Sequence, residues 1–293
     1  MKKFFKILIG IFFISLLSAC SAPLKTKDTV SFSKEAIKTT TEKTTESTLP
    51  ENPAFKVPTV FFHGYSGTKG SFASMMNRLS KNYGAHLGEI LQVSPNGQVT
   101  VLQDFGLEAP KTLIQVIFAD NKNNEWNQAQ WISNTLDFLA NQGFSKVNIV
   151  GHSMGGVSSL RYLLTFPPNK KITVEKFASI GAPFDNFEVL ASGETMEEVL
   201  QAGPINQDAR YVEFKEKLGN FPKTLPWLNL AGLLVENDPN QGDGTVPLSS
   251  SLAMTAAAKA QGISYTNEIF PAQHSGLHES KEVDAALAKF LWP

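Results

Sequence analysis

Residues 146–156 read KVNIVGHSMGG, an apolar β-branched run followed by a serine with glycine two positions before and two after it. The run predicts a buried strand, and the apolar spacing after residue 156 predicts a helix. A sharp turn between such a strand and helix lifts the hydroxyl of Ser153 out of the sheet. The turn also crowds the backbone beside it, so residues without a side chain, Gly151 and Gly155, fit there. Gly156 leaves room for the helix to lie close to the strands. We therefore expect Ser153 to be an exposed nucleophile.

Short apolar runs alternate with helical patterns along the chain from residue 59. We predict strands at 59–62, 112–118, 146–150, 174–180, within 225–234 and at 264–270, a hairpin of strands 89–93 and 98–103, and helices at 71–79, 125–141, 249–260 and 282–291. The helix after Ser153 is expected to stop at Pro167-Pro168. This alternation is typical of an α/β protein with a mostly parallel, doubly wound sheet. With a serine at the turn between a strand and a helix, it predicts the α/β-hydrolase fold.

Residues 184–224 interrupt the alternation of strands and helices. They are mixed in character, and 195–201 has a short helical pattern. An insertion at this point of the α/β-hydrolase fold usually covers the active site. We therefore expect residues 184–224 to form a small insertion that acts as a lid.

A serine hydroxyl becomes a strong nucleophile only when a base takes its proton and a carboxylate orients that base. The α/β-hydrolase fold places serine, acid and histidine in that order along the chain, which leaves His274 and His278 as possible bases after Ser153. His274 lies in the loop after the last predicted strand, where the fold places the base. We favour His274 and expect His278 to open the final helix, pointing away from the site or supporting the loop.

The acid is expected at the end of the strand that precedes the base. Asp243 fits this place, because the glycines on both sides of it in GDGTVP leave its carboxylate free to turn toward the imidazole. Asp238 and Glu236 are alternatives. Asp238, Asn240 and Asp243 also have some likeness to a calcium loop, but the full ligand set and the terminal glutamate are missing. We assign no metal and no cofactor.

Two backbone N–H groups are needed to bind the oxyanion that forms when the nucleophile attacks. One is expected from Met154, the residue after the nucleophile. The other is expected from the loop after the first central strand, where Gly64 permits a tight turn and Tyr65 supplies the N–H group.

Three further histidines have no catalytic role in this interpretation. His63 is expected to form hydrogen bonds within its own loop, His152 to point away from the acyl site, and His86 to lie on the surface. No two histidines have the spacing of a zinc site, and no phosphate-binding or dinucleotide-binding glycine motif is present.

The N-terminus begins MKKFFK and continues with an apolar run at residues 7–17. Positive charge followed by about a dozen apolar residues predicts a secretory signal that is too short to remain as a membrane-spanning anchor. The run ends in LSAC at residues 17–20, which resembles the lipobox of bacterial lipoproteins. The resemblance implies a lipoprotein signal peptide at residues 1–20, with Cys20 lipidated as the first residue of the mature protein and inserted into the lipid bilayer.

Residues 21–52 are rich in Thr, Ser, Lys and Glu and predict a flexible tether ahead of a catalytic domain at residues 53–293. The first 50 residues hold eight of the 26 basic residues and four of the 27 acidic ones, so the remainder is mildly acidic. With no basic cluster in that remainder, nucleic acid is not expected as a partner. Cys20 is the only cysteine in the chain, so the mature domain has no disulfide.

Six blocks of sequence, in this order, resemble one family, the α/β-hydrolase cell-surface hydrolases of low-GC Gram-positive bacteria. They are FFHGY at 61–65, QVIFADN at 115–121, GHSMGG at 151–156, GAPF at 181–184, GDGTVP at 242–247 and HSGLHE at 274–279. The resemblance covers nearly all of residues 55–293. It implies a carboxylesterase acting on short acyl esters with Ser153, Asp243 and His274 as its catalytic triad. Gly276 departs from the family pattern, in which a larger polar residue is expected beside the base.

We therefore expect a serine hydrolase, tethered by lipid at the extracellular face of the cell membrane, that cleaves a small-molecule ester through an acyl-enzyme. Two alternatives remain open at this point. The same triad could serve an amidase, a peptidase or a thioesterase, because pocket shape determines which bond is cleaved. The chain could also be a binding lipoprotein that keeps a hydrolase fold without turnover.

Overall fold

The computed structural model describes residues 57–236 and 238–293. The signal peptide, the lipidation of Cys20 and the tether at 21–52 are predictions that lie outside the described residues. The described strands are β1 Thr59–Phe62, β2 His86–Val93, β3 Val99–Asp104, β4 Thr112–Phe118, β5 Lys146–His152, β6 Thr173–Ile180, β7 Trp227–Gly232 and β8 Tyr265–Phe270.

The helices lie between and after these strands. They are α1 Gly70–Tyr83, α2 Glu125–Asn141, α3 Met154–Thr165, α4 Met196–Ala202, α5 Ala209–Lys217, α6 Leu248–Leu252, α7 Thr255–Ala260 and α8 Lys281–Leu291, with short 3₁₀ helices at Leu218–Asn220 and Leu277–Glu279. Within the described ranges, no helix combines the length and the apolar character that crossing a membrane requires.

The eight strands form one sheet in the order β3-β2-β4-β1-β5-β6-β7-β8. Every neighbouring pair is parallel except β2 and β3, which form the expected antiparallel hairpin. Parallel neighbours need crossover connections, and most of these connections contain helices. The predicted mostly parallel, doubly wound α/β-hydrolase sheet is therefore confirmed.

Successive residues of β1 pack into opposite faces of the sheet, because side chains alternate along a strand. Val60 and Phe62 belong to the apolar cluster that includes α2 and α3, whereas Phe61 belongs to the cluster that includes α1 and α8. All three side chains are fully buried, and such burial stabilises the fold by about 1.5–3 kcal/mol for each large apolar side chain. The central strands are thereby fixed between two helical layers.

A row of polar side chains crosses three strands inside this core. Ser179, Asn229 and Asn267 are paired in register on β6, β7 and β8. Ser179 Oγ donates to Asn229 Oδ1 at 2.8 Å, Asn229 Nδ2 donates to Asn267 Oδ1 at 3.0 Å, and Trp227 Nε1 donates to Ser179 Oγ at 2.8 Å. Because buried polar groups are costly without partners, this row favours one register of the strands β6, β7 and β8.

The prediction of one continuous helix at 249–260 is wrong, because the segment forms two helices, α6 and α7. The hydroxyl of Thr255 donates to the carbonyl oxygen of Leu252 at 2.6 Å and accepts from Asn267 Nδ2 at 2.9 Å. A threonine side chain that binds a nearby carbonyl competes with the helical backbone bond at that point. This competition accounts for the break between the two helices.

The segment between β6 and β7 contains α4, α5 and the first 3₁₀ helix. Arg210 of α5 forms an ion pair with the buried carboxylate of Glu125 at the start of α2, and donates to the carbonyl oxygen of Pro183 at 2.9 Å. Tyr211 and Phe214 of the same helix are buried in the main core. Helix α5 is thus packed into the domain, and the lid role of 184–224 stays a prediction.

Candidate active site

Ser153 occupies the turn between β5 and α3 with φ 52° and ψ −124°. A positive φ is uncommon for a residue with a side chain and costs of order 1–3 kcal/mol, so it persists only where the surroundings enforce it. Here the surroundings do enforce it: a Cβ placed on Gly155 would lie 2.2 Å from the carbonyl oxygen of Phe62. The first turn of α3 therefore touches the end of β1, and glycine alone fits the contact.

The loop after β1 lies directly against this serine. A Cβ on Gly64 would lie 2.7 Å from Cβ of Ser153 and 3.3 Å from its Oγ. The buried ring of His63 holds the loop, because its Nε2 accepts from the N–H of Phe118 at 3.0 Å and its Nδ1 donates to the carbonyl oxygen of Gly64 at 2.8 Å. Burial lowers the pKa of His63, which keeps it in this neutral form.

Asp243 and His274 meet at the ends of β7 and β8. His274 Nδ1 donates to Asp243 Oδ2 at 2.7 Å, and the backbone N–H of His274 donates to the carbonyl oxygen of Asp243 at 2.9 Å. The other carboxylate oxygen of Asp243 accepts from the N–H groups of Thr245 and Val246 at 2.9 and 2.7 Å. With only 2% of Asp243 exposed, both carboxylate oxygens have protein donors, and the imidazole is fixed in one tautomer.

The residues that have some likeness to a calcium loop have other partners. Asn240 Oδ1 accepts from the N–H of Leu190 at 3.0 Å, and Asp238 Oδ1 accepts from the N–H of Gln241 at 3.3 Å. Among residues 57–236 and 238–293, no group of three or more His, Cys, Asp or Glu side chains is arranged to hold a metal ion.

The end of β6 joins the serine to the acid and the base. The N–H of Ser153 donates to the carbonyl oxygen of Ile180 at 2.8 Å. The next residue, Gly181, has φ 56°, and a Cβ there would lie 3.2 Å from Asp243 Oδ2 and 3.3 Å from His274 Nδ1. The backbone of Ser153 and the side chains of Asp243 and His274 therefore lie around two consecutive residues at the carboxyl edge of the sheet, and the hydrogen bonds of the described residues include none between Ser153 Oγ and His274.

Arg78 of α1 binds the loop at 271–280 that carries His274, here called the base loop. Its Nη2 donates to the carbonyl oxygen of His278 at 2.9 Å and to Asp284 Oδ1 at 3.1 Å. His278 lies in the 3₁₀ helix Leu277–Glu279, and α8 begins after it with Ser280 as its N-terminal cap. The expectation that His278 opens the final helix is therefore wrong, because the side chain of Ser280 accepts the N–H of Val283 and caps a helix that begins at Lys281.

Two contacts of the base loop carry no signal in the sequence. His152, the residue before the serine, is buried, and its Nε2 lies 3.0 Å from the carbonyl oxygen of His274. Arg78 reaches a residue 200 positions away. Neither has a motif of its own, so only the folded chain reveals them.

The two N–H groups expected to bind an oxyanion lie beside the serine. Met154 begins α3, and the first N–H groups of a helix have no partner within the helix. Tyr65 follows Gly64 in the loop that touches Ser153, and its side chain is 59% exposed. The turn and loop hydrogen bonds of the described backbone use neither N–H group.

A family model described as "Alpha/beta hydrolase of unknown function (DUF915)" matches residues 46–293. Because the match covers most of the chain and includes all the site residues above, the chain belongs to this family. A search of the curated proteins found no match.

Two solved structures have the same fold. The product of the Listeria innocua gene lin2722 is 24% identical, with a TM-score of 0.73 over 81% of this chain and 94% of that one. A protein assigned as a cell surface hydrolase from Lactobacillus plantarum is 18% identical, with a TM-score of 0.64 over 81% of this chain and 90% of that one. At these identities the two structures support the fold alone.

Proposed function

We propose that this α/β hydrolase is a serine hydrolase that cleaves esters through an acyl-enzyme. The observation that carries the proposal is the 2.7 Å hydrogen bond between Asp243 and His274, formed within contact of the backbone that binds Ser153. A carboxylate that fixes the tautomer of a histidine next to a strained, glycine-flanked serine is the arrangement that nucleophilic catalysis by serine requires.

In the proposed reaction, Ser153 Oγ attacks the carbonyl carbon of the ester while His274 Nε2 takes the hydroxyl proton. Asp243 stabilises the imidazolium through the Nδ1–H bond. The N–H groups of Tyr65 and Met154 donate to the oxyanion. His274 then gives the proton to the leaving alcohol, and a water, activated by the same imidazole, releases the acid and regenerates the serine.

Apolar surface beside the loop that carries Asp243 favours a substrate with an apolar acyl group. Leu234 and Val235 are exposed, and the N–H of Leu234 donates to the carbonyl oxygen of Gly242 at 2.7 Å, next to Asp243. Tyr65, which follows the Gly64 that touches Ser153, is exposed as well. Apolar side chains that flank polar catalytic groups are typical of small-molecule sites.

The nucleophile is tested with a fluorophosphonate probe and a nitrophenyl ester. Replacing Ser153 by alanine should abolish labelling and lower turnover by roughly 10⁴- to 10⁶-fold while the melting temperature stays near that of the wild type. Ser159→Ala is the matched control, because Ser159 lies in the same helix and its hydroxyl only donates to the carbonyl oxygen of Gly155. Labelling that persists in Ser153→Ala would refute the assignment.

The bond that is cleaved is tested with nitrophenyl esters of increasing acyl length, a thioester and a peptide amide. We expect the esters to be the best substrates, with short acyl chains favoured. Faster cleavage of the amide or thioester would assign the chain to those classes. If calorimetry detects binding but no substrate is turned over, the chain is a binding protein and not an enzyme.

We also propose that Cys20 is lipidated and holds the enzyme at the extracellular face of the membrane through the tether at 21–52. The proposal rests on the sequence of residues 1–20 and on the similarity to the Lactobacillus protein, which is assigned as a cell surface hydrolase. More than one inserted acyl chain gives stable anchoring. Expression of Cys20→Ser in a Gram-positive host should move the protein from the membrane fraction to the medium and abolish incorporation of labelled palmitate.

A further inference from the structure

We infer that His152 is a positioning residue, which holds the backbone of the base His274 at a fixed distance from the nucleophile; this inference rests on the proposed function. The two residues are 122 positions apart in the chain, and the bond between His152 Nε2 and the carbonyl oxygen of His274 is 3.0 Å long. A carbonyl oxygen can only accept, so Nε2 carries the hydrogen.

The environment of His152 keeps it in this donor form. Its ring lies 4.7 Å from that of His274 and 4.8 Å from that of His278, which it meets nearly at right angles, with Phe72 at 6.5 Å. Burial, together with the neighbouring His274, His278 and His63, lowers the pKa of His152 well below its ordinary value. A neutral imidazole whose Nε2 holds the proton is therefore the resident state at neutral pH.

With this bond, the protein binds His274 at three points: the ring Nδ1, the backbone N–H and the backbone carbonyl oxygen. Asp243 fixes the ring through Nδ1 and accepts the backbone N–H, while His152 binds the backbone carbonyl. His152 is also the residue bonded directly to Ser153 in the chain. The hydrogen bond therefore links the base to the nucleophile with no other element between them.

A base held in this way loses little freedom when it takes the proton of the serine. Without the His152 bond, the loop that carries His274 can shift while the Asp243 contact is kept, and Nε2 then moves relative to Ser153 Oγ. A misplacement of about 1 Å between reacting groups can cost on the order of 100-fold in rate. A residue that only filled space would have no such effect on the rate of the chemical step.

Glutamine and methionine separate these two roles. The side-chain nitrogen of glutamine and the terminal methyl of methionine both end four atoms from Cα, as Nε2 of histidine does, but only glutamine donates. His152→Gln should keep kcat within about threefold of the wild type. His152→Met should lower kcat by about 10- to 100-fold with a change in KM of less than about threefold.

The same two variants are compared for the rate of fluorophosphonate labelling and for melting temperature, with Ser153→Ala as the inactive reference. Equal kcat values for folded His152→Gln and His152→Met would overturn the inference. If His152→Met does not fold, His152→Leu replaces it under the same criterion. An inactive wild type would refute the proposed function instead, so the two failures are distinguishable.

Discussion

The two halves of the candidate site are built in different ways. The serine half, from β5 into α3, depends on local backbone packing: glycines allow Ser153 to take φ 52° against the end of β1. The base half, from β7 and β8 into the loop before α8, depends on side chains that are distant in the chain, among them Arg78 and His152. Local sterics fix Ser153, whereas long-range hydrogen bonds fix the loop that carries His274.

This difference predicts how each half fails. A change in the serine half places atoms closer than contact distance and strains the fold. A change in the base half leaves the chain folded and misplaces or misprotonates one group. Four substitutions, taken from the largest expected effect to the smallest, test this division.

Asp243→Asn should lower kcat by about 10⁴-fold, because an amide nitrogen cannot accept the Nδ1–H of His274 and the imidazole turns to the wrong tautomer. The amide oxygen can still accept from Thr245 and Val246, so the melting temperature should change little. Asp238→Asn, at an exposed position in the same segment, is the matched control. Ester hydrolysis and thermal unfolding are measured for both variants. A similar loss of kcat in Asp238→Asn would indicate that Asp238 is the acid.

Gly155→Ala should lower the free energy of unfolding by about 1–3 kcal/mol and reduce activity with it, because its methyl group would overlap the carbonyl oxygens of Phe62 and His63. A Cβ on Gly219 meets nothing within 4 Å, so Gly219→Ala is the control. Chemical denaturation gives the two values. If Gly155→Ala were as stable as Gly219→Ala, local packing would not be what holds the serine half in place.

Arg78→Met should lower the free energy of unfolding by about 2 kcal/mol, since it leaves the buried carboxylate of Asp284 without its cation. It also removes the donor to the carbonyl oxygen of His278, so kcat should fall by more than in a variant of equal stability from another region. Adding Asp284→Asn should restore part of the stability. A double-mutant cycle with no coupling between the two positions would contradict this account.

Asp185→Asn should have the smallest effect, and one that depends on pH. Burial raises the pKa of Asp185 to about 7, well above the 3.8 of an ordinary aspartate, and this carboxyl lies just after the end of β6 that joins the two halves. The hydrogen bond from the N–H of Asp208 and the charge of Arg210 lower the pKa of Asp185, whereas the charges of Asp208 and Glu188 raise it. The folded chain therefore holds a proton that the unfolded chain releases between pH 4 and 7.

The folded state loses stability through that range as the pH rises, because deprotonation is easier in the unfolded chain. Asparagine cannot ionise, so Asp185→Asn should become more stable than the wild type by on the order of 1 kcal/mol at pH 8, and the difference should shrink toward pH 4. Denaturation at several pH values measures it. A difference that stays constant with pH would mean that Asp185 is ionised across the range.

The sequence by itself determined the order of strands and helices, the α/β-hydrolase fold and the turn at Ser153. These features follow from apolar periodicity and from the glycines that the turn at Ser153 requires. Both signals lie in residues that are close together in the sequence. The chain order of the fold also pointed to Asp243 and His274, and the structure places these two side chains in contact.

Only the tertiary structure decided what holds the base. The bond from His152 to His274 and the hydrogen bonds of Arg78 to His278 and Asp284 join positions that are distant in the chain, and no local pattern encodes them. The break between α6 and α7 has the same origin, since Asn267 of β8 binds the hydroxyl of Thr255. Hydrogen bonds between distant side chains exist only after the sheet has brought them together, whereas backbone sterics act within a few residues.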